Sequence, residues 1–457
     1  MVSKSNDELV RRVAKLARQN QELEEHIRNL ERQNEKLTAE IEKLKARQPE
    51  IAGEAGKSDK FNMATVLFTN IRVIPHMMER IDSAPVMDEL DEIFFEFGSI
   101  AEKYKIQRIK TIGDTFMCAG GIPLKNITNP VEVVMAAMEM RNFVEKYETG
   151  KRGNERLWEM KTGIHTGPVT ATVSGRKKIS YDIKGDTVNN ANRIESLSEN
   201  GSILISVMTY ELVKEFFVSE YYGKLPVKYK GDLQIYSVKG LKPELSSGIS
   251  GTEPNRAFRT KLGLIRFTDM QEMILDKLEK ELPDFVFYHN VKHTVDVVTE
   301  VELIGWAEGC TDEEILLLKT AGLFHDTGIT VSFDNHEYHG ATYARKVLPS
   351  FGYSDEQIER ICSLIMATKL PPRPSNLLEE IMCDSDLDYL GRSDFIPVSN
   401  TLFEELKAQN KMNDLNEWNK LQVKFISGHQ YFTKTARSLR EVNKQQQIER
   451  IKSLIKN

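Results

Sequence analysis

Residues 288–297 read Tyr288-His-Asn-Val-Lys-His-Thr-Val-Asp-Val297, and further on, with 31 residues between His293 and His325, the chain gives Leu323-Phe-His-Asp-Thr-Gly328. His289 and His293 stand one turn apart on one helix face, while His325 and Asp326 are adjacent at an expected helix end. A third block, Cys383-Asp-Ser-Asp-Leu-Asp-Tyr-Leu-Gly391, adds Asp384 and Asp386. Five of the nine histidines (His289, His293, His325, His336 and His339) fall within 51 residues. One histidine in an apolar face is ordinarily structural, but this joint spacing is the pattern of a ligand set. Imidazole and carboxylate donors without cysteine suit an open hydrolytic site for Mg or a divalent transition metal. The flanking apolar spacing is helical over 269–281, 289–307, 312–323, 340–348, 355–368 and 377–390, so 259–457 is expected to be an all-α domain.

Upstream, Pro243 to Pro254 is rich in Ser, Gly and Pro and reads as a linker over 244–258. Before it, over 60–243, strands and helices alternate. An apolar strand at 64–68 leads to a helix over about 76–104. A hairpin follows with Gly113-Asp114 at its turn, then helices over 131–147 and 187–197 around a strand at 160–173. That order predicts an α+β domain with a ferredoxin-like core.

The N-terminal stretch is of a third kind. Leu9, Leu16, Leu23, Leu30, Leu37 and Leu44 occupy one heptad position, with Val13, Asn20, Ile27, Asn34 and Ile41 at the other. Branched residues opposite leucine favour two parallel strands, and a buried asparagine satisfies its amide only against its equivalent in an in-register partner. A parallel dimeric coiled coil is therefore expected over 1–48, followed by a linker over 49–59. The fold class is thus multidomain: coiled coil, α+β domain and all-α domain.

Composition sets the outer limits. The chain has 457 residues, 28% charged and 40% hydrophobic, with a formal net charge of −6, so no global basic field is available for a nucleic-acid backbone. No apolar run is long enough to span a membrane and the polar start lacks a signal-peptide core, so a cytoplasmic location is expected. Cys118, Cys310, Cys362 and Cys383 form no CxxC pair and read as reduced core or near-core thiols.

Four blocks of the middle segment resemble class III nucleotidyl cyclases: Thr65-Val-Leu-Phe-Thr-Asn-Ile71, Ile109-Lys-Thr-Ile-Gly-Asp114, Gly163-Ile-His-Thr-Gly-Pro-Val169 and Tyr181-Asp-Ile-Lys-Gly-Asp-Thr-Val-Asn-Asn-Ala-Asn-Arg193. The resemblance implies two Mg or Mn ions held by two aspartates. Asp114 matches the second, but the first falls on Asn70, which removes a charge shared by both cations. The family's Gly-Phe after that position is also absent. By the same resemblance Lys110 and Asp182 would read adenine, Asn189 would position the ribose, Arg193 would stabilise the transition state and Lys228 would contact the triphosphate. ATP is the implied substrate. Such sites form between two chains, which the coiled coil would bring together.

The histidine blocks resemble the HD superfamily of phosphohydrolases, and Tyr288 to His293 resembles more closely the Tyr-His-Asn-x-x-His signature of cyclic-nucleotide phosphodiesterases. The match implies His293, His325, Asp326 and Asp386 as metal ligands, with Asp384 the alternative to the last. His289 would then protonate the leaving 3′ oxygen. His336 and His339 are implied as further metal or phosphate contacts. The functional expectation is a cyclic-AMP signalling protein that couples an adenylate-cyclase-type domain to this hydrolase. Two alternatives stay open: a hydrolase regulated by a nucleotide-binding pseudo-cyclase, and a noncatalytic dimeric scaffold.

Overall fold

The computed structural model describes residues 58–77, 83–152, 155–174, 180–227, 231–248 and 251–456. The expected coiled coil over 1–48 and Lys228 lie outside the described residues. What is described is an α+β region followed by an all-helical one.

The first region is built on eight strands: β1 (Ser58–Val73), β2 (Gln107–Ile112), β3 (Thr115–Gly120), β4 (Trp158–Ser174), β5 (Ser180–Lys184), β6 (Ile203–Ser206), β7 (Phe217–Val227) and β8 (Gly231–Leu241). Seven of them run in the order β2-β3-β1-β4-β6-β8-β7. The hairpin expected at Gly113-Asp114 is present, with Gly113 at a φ of 58° and β2 antiparallel to β3. β1 pairs antiparallel with β3, bringing Asn70 opposite Thr115. Helices α1 (Ser83–Lys103), α2 (Asn129–Arg152), α3 (Asp186–Leu197) and α4 (Val207–Val213) complete the region. Phe94, Phe97 and Phe116 pack face and edge between α1 and the sheet, their centroids 5.6–6.2 Å apart. Gly163 lets α3 lie against β4, since a Cβ there would fall 2.1 Å from the Glu195 nitrogen. Ser58 and the described residues of 172–182 form a small compact unit of their own, in which Ser58 Oγ bonds Thr172 Oγ1 at 2.8 Å.

The helix expected from residue 269 begins earlier: α5 spans Arg256–Glu281, because Asn255 caps it by accepting the Phe258 N–H. It is followed by α6 (Val291–Ala307), α7 (Asp312–Phe324), α8 (His336–Val347), α9 (Asp355–Ala367), α10 (Leu377–Asp386), α11 (Phe395–Ala408), α12 (Leu415–Gly428) and α13 (Lys434–Leu454). Capping boxes at Thr311–Glu314 and Ser354–Gln357 start α7 and α9. α7 is buried nearly all round, with Ile315, Leu317, Leu318, Leu323 and Phe324 fully enclosed, and so becomes the central post of the helical core. All four cysteines are buried and unpaired. Among the described residues no helix is long and apolar enough to cross a membrane.

Candidate functional site

Three helix ends converge on the histidine cluster. At the first, Asn290 caps α6 by accepting the His293 N–H at 3.1 Å, which fixes His293 in the first turn. The second is the C-terminus of α7, where His325 donates Nδ1–H to the Gly322 carbonyl at 2.8 Å. That bond leaves Nε2 as the lone-pair nitrogen of the neutral ring. At the third, the last residue of α10 is Asp386. Gly328 allows this approach, because a Cβ there would meet the His336 carbonyl oxygen of α8 at 2.0 Å.

The resulting distances are short. His293 Nε2 lies 3.3 Å from His325 Nε2, 3.4 Å from Asp326 Oδ2 and 3.2 Å from Asp386 Oδ1. His325 Nε2 lies 3.1 Å from Asp326 Oδ2 and 3.5 Å from Asp386 Oδ1. His336 Nε2 stands 3.5 Å from Asp326 Oδ1. His293, His325 and Asp326 are all buried, and each offers a ligand atom within 4.8 Å of the others. Among the described residues Asp326 Oδ2 makes no well-aligned hydrogen bond despite its burial, although His325 Nε2 is 3.1 Å away. A buried carboxylate oxygen with no well-aligned donor, facing two ring nitrogens, fits a divalent cation of the kind His/Asp sets hold. Burial pushes the Asp326 and Asp386 carboxyls up, but the neighbouring imidazoles outweigh it and leave both below the usual carboxylate range.

Asp384 and Asp386, left as alternatives by the sequence, separate here. Asp384 turns away and accepts the N–H groups of Phe432 and Thr433 at 2.8–3.2 Å, together with the Thr433 hydroxyl at 2.8 Å. Asp386 is the one that meets the histidines. His339 makes no polar contact with the cluster among the described residues, its recorded neighbour being the Tyr338 ring.

Sequence reasoning missed Glu405, on α11. Its Oε1 lies 2.5 Å from His289 Nδ1, and its Oε2 accepts the N–H groups of Tyr288 and His289 at 2.8 and 3.2 Å. Glu405 is completely buried. Burial pulls the His289 imidazole down, but Asp326 and Glu405 outweigh it, so its pKa ends raised. Beside His289 lies a cavity of about 240 Å³ walled by Tyr288, Phe395, Trp418 and Phe425, in which Gln422 is the sole side-chain amide. Gln422 donates Nε2–H to Ser399 Oγ, which also accepts Trp418 Nε1–H at 3.3 Å. No local signal marks Glu405 or Gln422, each more than 100 residues beyond the Tyr288–His293 block.

In the α+β region Asn70 and Asp114 are brought together through Thr115. Asn70 donates Nδ2–H to Thr115 Oγ1 at 3.0 Å, and that hydroxyl lies 3.3 Å from Asp114 Oδ1. The pair offers one carboxylate and one amide oxygen, a donor set short of the charge that two divalent ions need. Arg72 pairs with Glu159 at 2.7 Å and lies within electrostatic reach of Asp114. Asn189 and Arg193 are both exposed on α3, Arg193 donating to the Pro226 carbonyl at 2.6 Å. Lys110 is exposed on β2, and Asp182 is half-buried on β5 in the small separate unit. A cavity of about 590 Å³ beside α3 is lined by Lys60, His165, Thr187 and Asn190, but not by Asn70, Lys110, Asp114, Asn189 or Arg193. The reason is helical phase: Asn190 points inward, and its neighbour Asn189 points out.

Comparison with known proteins gives the same division of the chain. An adenylate cyclase of Mycobacterium tuberculosis is 30% identical over 201 residues, which cover 44% of this chain and 45% of that protein. A receptor-type guanylate cyclase of Caenorhabditis elegans is 33% identical over 195 residues, covering 42% of this chain and 17% of that protein. The chain thus matches less than half the length of these relatives. Among solved structures, an adenylyl cyclase of P. aeruginosa is 30% identical, covers 42% of this chain and 100% of that one, and gives a TM-score of 0.38. Residues 57–240 match the family model of the adenylate and guanylate cyclase catalytic domain, and residues 290–390 match that of the HD domain. One chain therefore carries a class III cyclase catalytic domain and an HD domain.

Proposed function

We propose that residues 259–457 are a metal-dependent phosphodiester hydrolase acting on a cyclic nucleotide, in a cytoplasmic signalling protein dimerised through its N-terminal heptads. The observation that carries this reading is the His289–Glu405 pair beside the ligand cluster. Glu405 engages Nδ1, so the raised pKa of the imidazole keeps a proton available and Nε2 is left as the atom that hands it to a leaving oxygen. His293, His325, Asp326 and Asp386 would hold the ion, which when bound supplies Lewis acidity toward the phosphoryl group. The adjoining aromatic cleft suits a purine. Gln422 gives one N–H to Ser399, and its carbonyl oxygen is left as an acceptor that complements the exocyclic amine of adenine. Cyclic AMP is the favoured substrate.

The cyclase-type domain is read as a site for ATP whose turnover is weakened at Asn70, with Lys110, Asp182, Asn189, Arg193 and Lys228 in the roles implied by the resemblance. A chain that both makes and destroys one messenger is futile unless one activity is low, and the missing carboxylate makes the cyclase the weaker half. Purified protein supplied with ATP and Mg or Mn, and separately with cyclic AMP and cyclic GMP, tests both parts. Cyclic-AMP hydrolysis abolished by Asp326→Ala supports the hydrolase. Absence of hydrolysis of either cyclic nucleotide by metal-loaded protein overturns it, and absence of hydrolysis of any phosphoester leaves the scaffold reading. Robust ATP cyclisation by the unaltered chain would overturn the weakened-cyclase part.

A further inference from the structure

Away from both sites, arginines converge on a cavity of about 320 Å³ between the start of α5 and the start of α9. Arg256, Arg259 and Arg266 share one face of α5, and Arg360 reaches in from α9. Gly263 lies on the same face, where even a Cβ would press to 2.7 Å from Leu316 Cδ2.

The charges do not balance locally. Arg256 is taken by Glu313, Nε to Oε2 at 2.5 Å, and Arg266 by Glu132 of the cyclase-type domain at 2.8 Å. Among the described residues Arg259 donates only to the Pro254 carbonyl, at 3.4 Å. Arg360 makes no hydrogen bond or ion pair among the described residues and feels only Glu314 at longer range. Glu356 also borders the cavity, and it is exposed. Two guanidiniums thus border a concave space with no carboxylate paired to them among the described residues, and planar guanidinium forks match phosphate oxygens better than any other side chain does.

Arg266 ties this cavity to the cyclase-type domain. Its other amino group donates to the Phe351 carbonyl at 2.8 Å, and Gly352, at a φ of 82°, leaves room for it: a Cβ there would lie 2.9 Å from Nη1. A ligand anion drawing on Arg266 must compete with Glu132. We propose that this cavity binds a small phosphorylated anion held by Arg259 and Arg360, and that its binding competes with the Arg266–Glu132 contact between the two domains.

The test is calorimetric titration of the full chain with inorganic pyrophosphate, in EDTA so that no metal centre takes part, and in an Arg193→Ala background to weaken binding at the cyclase-type site. The expected result is one saturable site per chain, weakened roughly tenfold or more by Arg259→Ala with Arg360→Ala, since each change removes a charged hydrogen bond. Neither side chain forms an ion pair, so the doubly substituted chain should keep its melting temperature. Glu132→Gln should tighten binding severalfold by releasing Arg266. ATP as a second titrant separates sources: equal affinity assigns the site to phosphate alone, and tighter affinity assigns it to a nucleotide. No saturable binding, or binding unchanged in the double variant, overturns the site. Binding indifferent to Glu132→Gln overturns the competition.

Discussion

Glu405 holds His289 from behind: one carboxylate oxygen sits 2.5 Å from the ring Nδ1 while the other accepts the N–H groups of Tyr288 and His289. The carboxylate thereby fixes both the backbone on which the histidine sits and the tautomer it adopts. Glu405→Gln keeps the shape but exchanges a charged acceptor for a neutral one. Cyclic-nucleotide hydrolysis should fall roughly 10- to 100-fold in kcat, with metal content unchanged. Steady-state kinetics beside elemental analysis check this; a loss confined to KM would argue against a positioning role.

The ligand cluster should be costly without its ion. Asp326 Oδ2 is buried with no well-formed hydrogen bond among the described residues, and the Nε2 atoms of His293 and His325 each lie within 3.5 Å of the other and of both the Asp326 and Asp386 carboxylates. A cation that binds the folded chain only, at a free concentration about 100 times its Kd, stabilises by about 3 kcal/mol. Chelation should therefore lower the melting temperature, and added Mn or Mg should restore it. Asp326→Asn should bind less metal and show a smaller response in the same thermal scan.

His429, behind the Phe425 wall of the aromatic cleft, gives a pH dependence of stability. Burial and the nearby Lys444 ammonium lower its pKa to about 4, against a partial opposing effect of Glu441. Both ring nitrogens lack hydrogen-bond partners, and the ring packs on Phe425 and Tyr431. The folded state thus resists a proton that the unfolded chain accepts near pH 6.5. Stability present above that pH should be lost as pH falls toward 4, by up to roughly 3 kcal/mol. His429→Phe sacrifices no hydrogen bond. Urea unfolding at several pH values should show the wild type losing more stability on acidification than this variant does.

At Asn70 the structure gives a gain-of-function prediction. The amide now donates to Thr115, whose hydroxyl also lies beside Asp114. Asn70→Asp supplies the second carboxylate, so ATP-dependent pyrophosphate release in Mn should rise by about tenfold or more over the unaltered chain. Equal rates for the two proteins would show that the missing charge is not what limits this domain.

The legible parts of the site are those whose chemistry is local. His289 and His293 could be paired from one turn of helix, and His325 with Asp326 from adjacency. Asp386 was favoured over Asp384 by the resemblance alone, because both lie in the last turn of α10 and only packing reveals that Asp384 is consumed by the backbone at Phe432 and Thr433. Glu405 and Gln422 were invisible for the same reason: α11 and α12 reach His289 through tertiary packing, and no sequence spacing encodes that approach. The fold shows a similar split. Gly113-Asp114 marked its hairpin, whereas the start of α5 was placed too late because the Ser-, Gly- and Pro-rich run read as a linker leads straight into the Asn255 cap, and the first apolar stripe of α5 (Phe258, Leu262, Ile265) packs on the core of the α+β region. In the cyclase-type domain the motifs identified residues but not their exposure, so Asn189 and Arg193 sit on an open face of the single chain.

The account turns on His289 handing its proton to the 3′ oxygen of a cyclic nucleotide. Metal-loaded protein should be incubated with cyclic AMP and its products separated chromatographically. The expected product is adenosine 5′-monophosphate, formed at a rate that Asp326→Ala abolishes and His289→Ala sharply reduces. Release of the 3′-monophosphate, or no turnover of cyclic AMP with metal bound at the cluster, would contradict it.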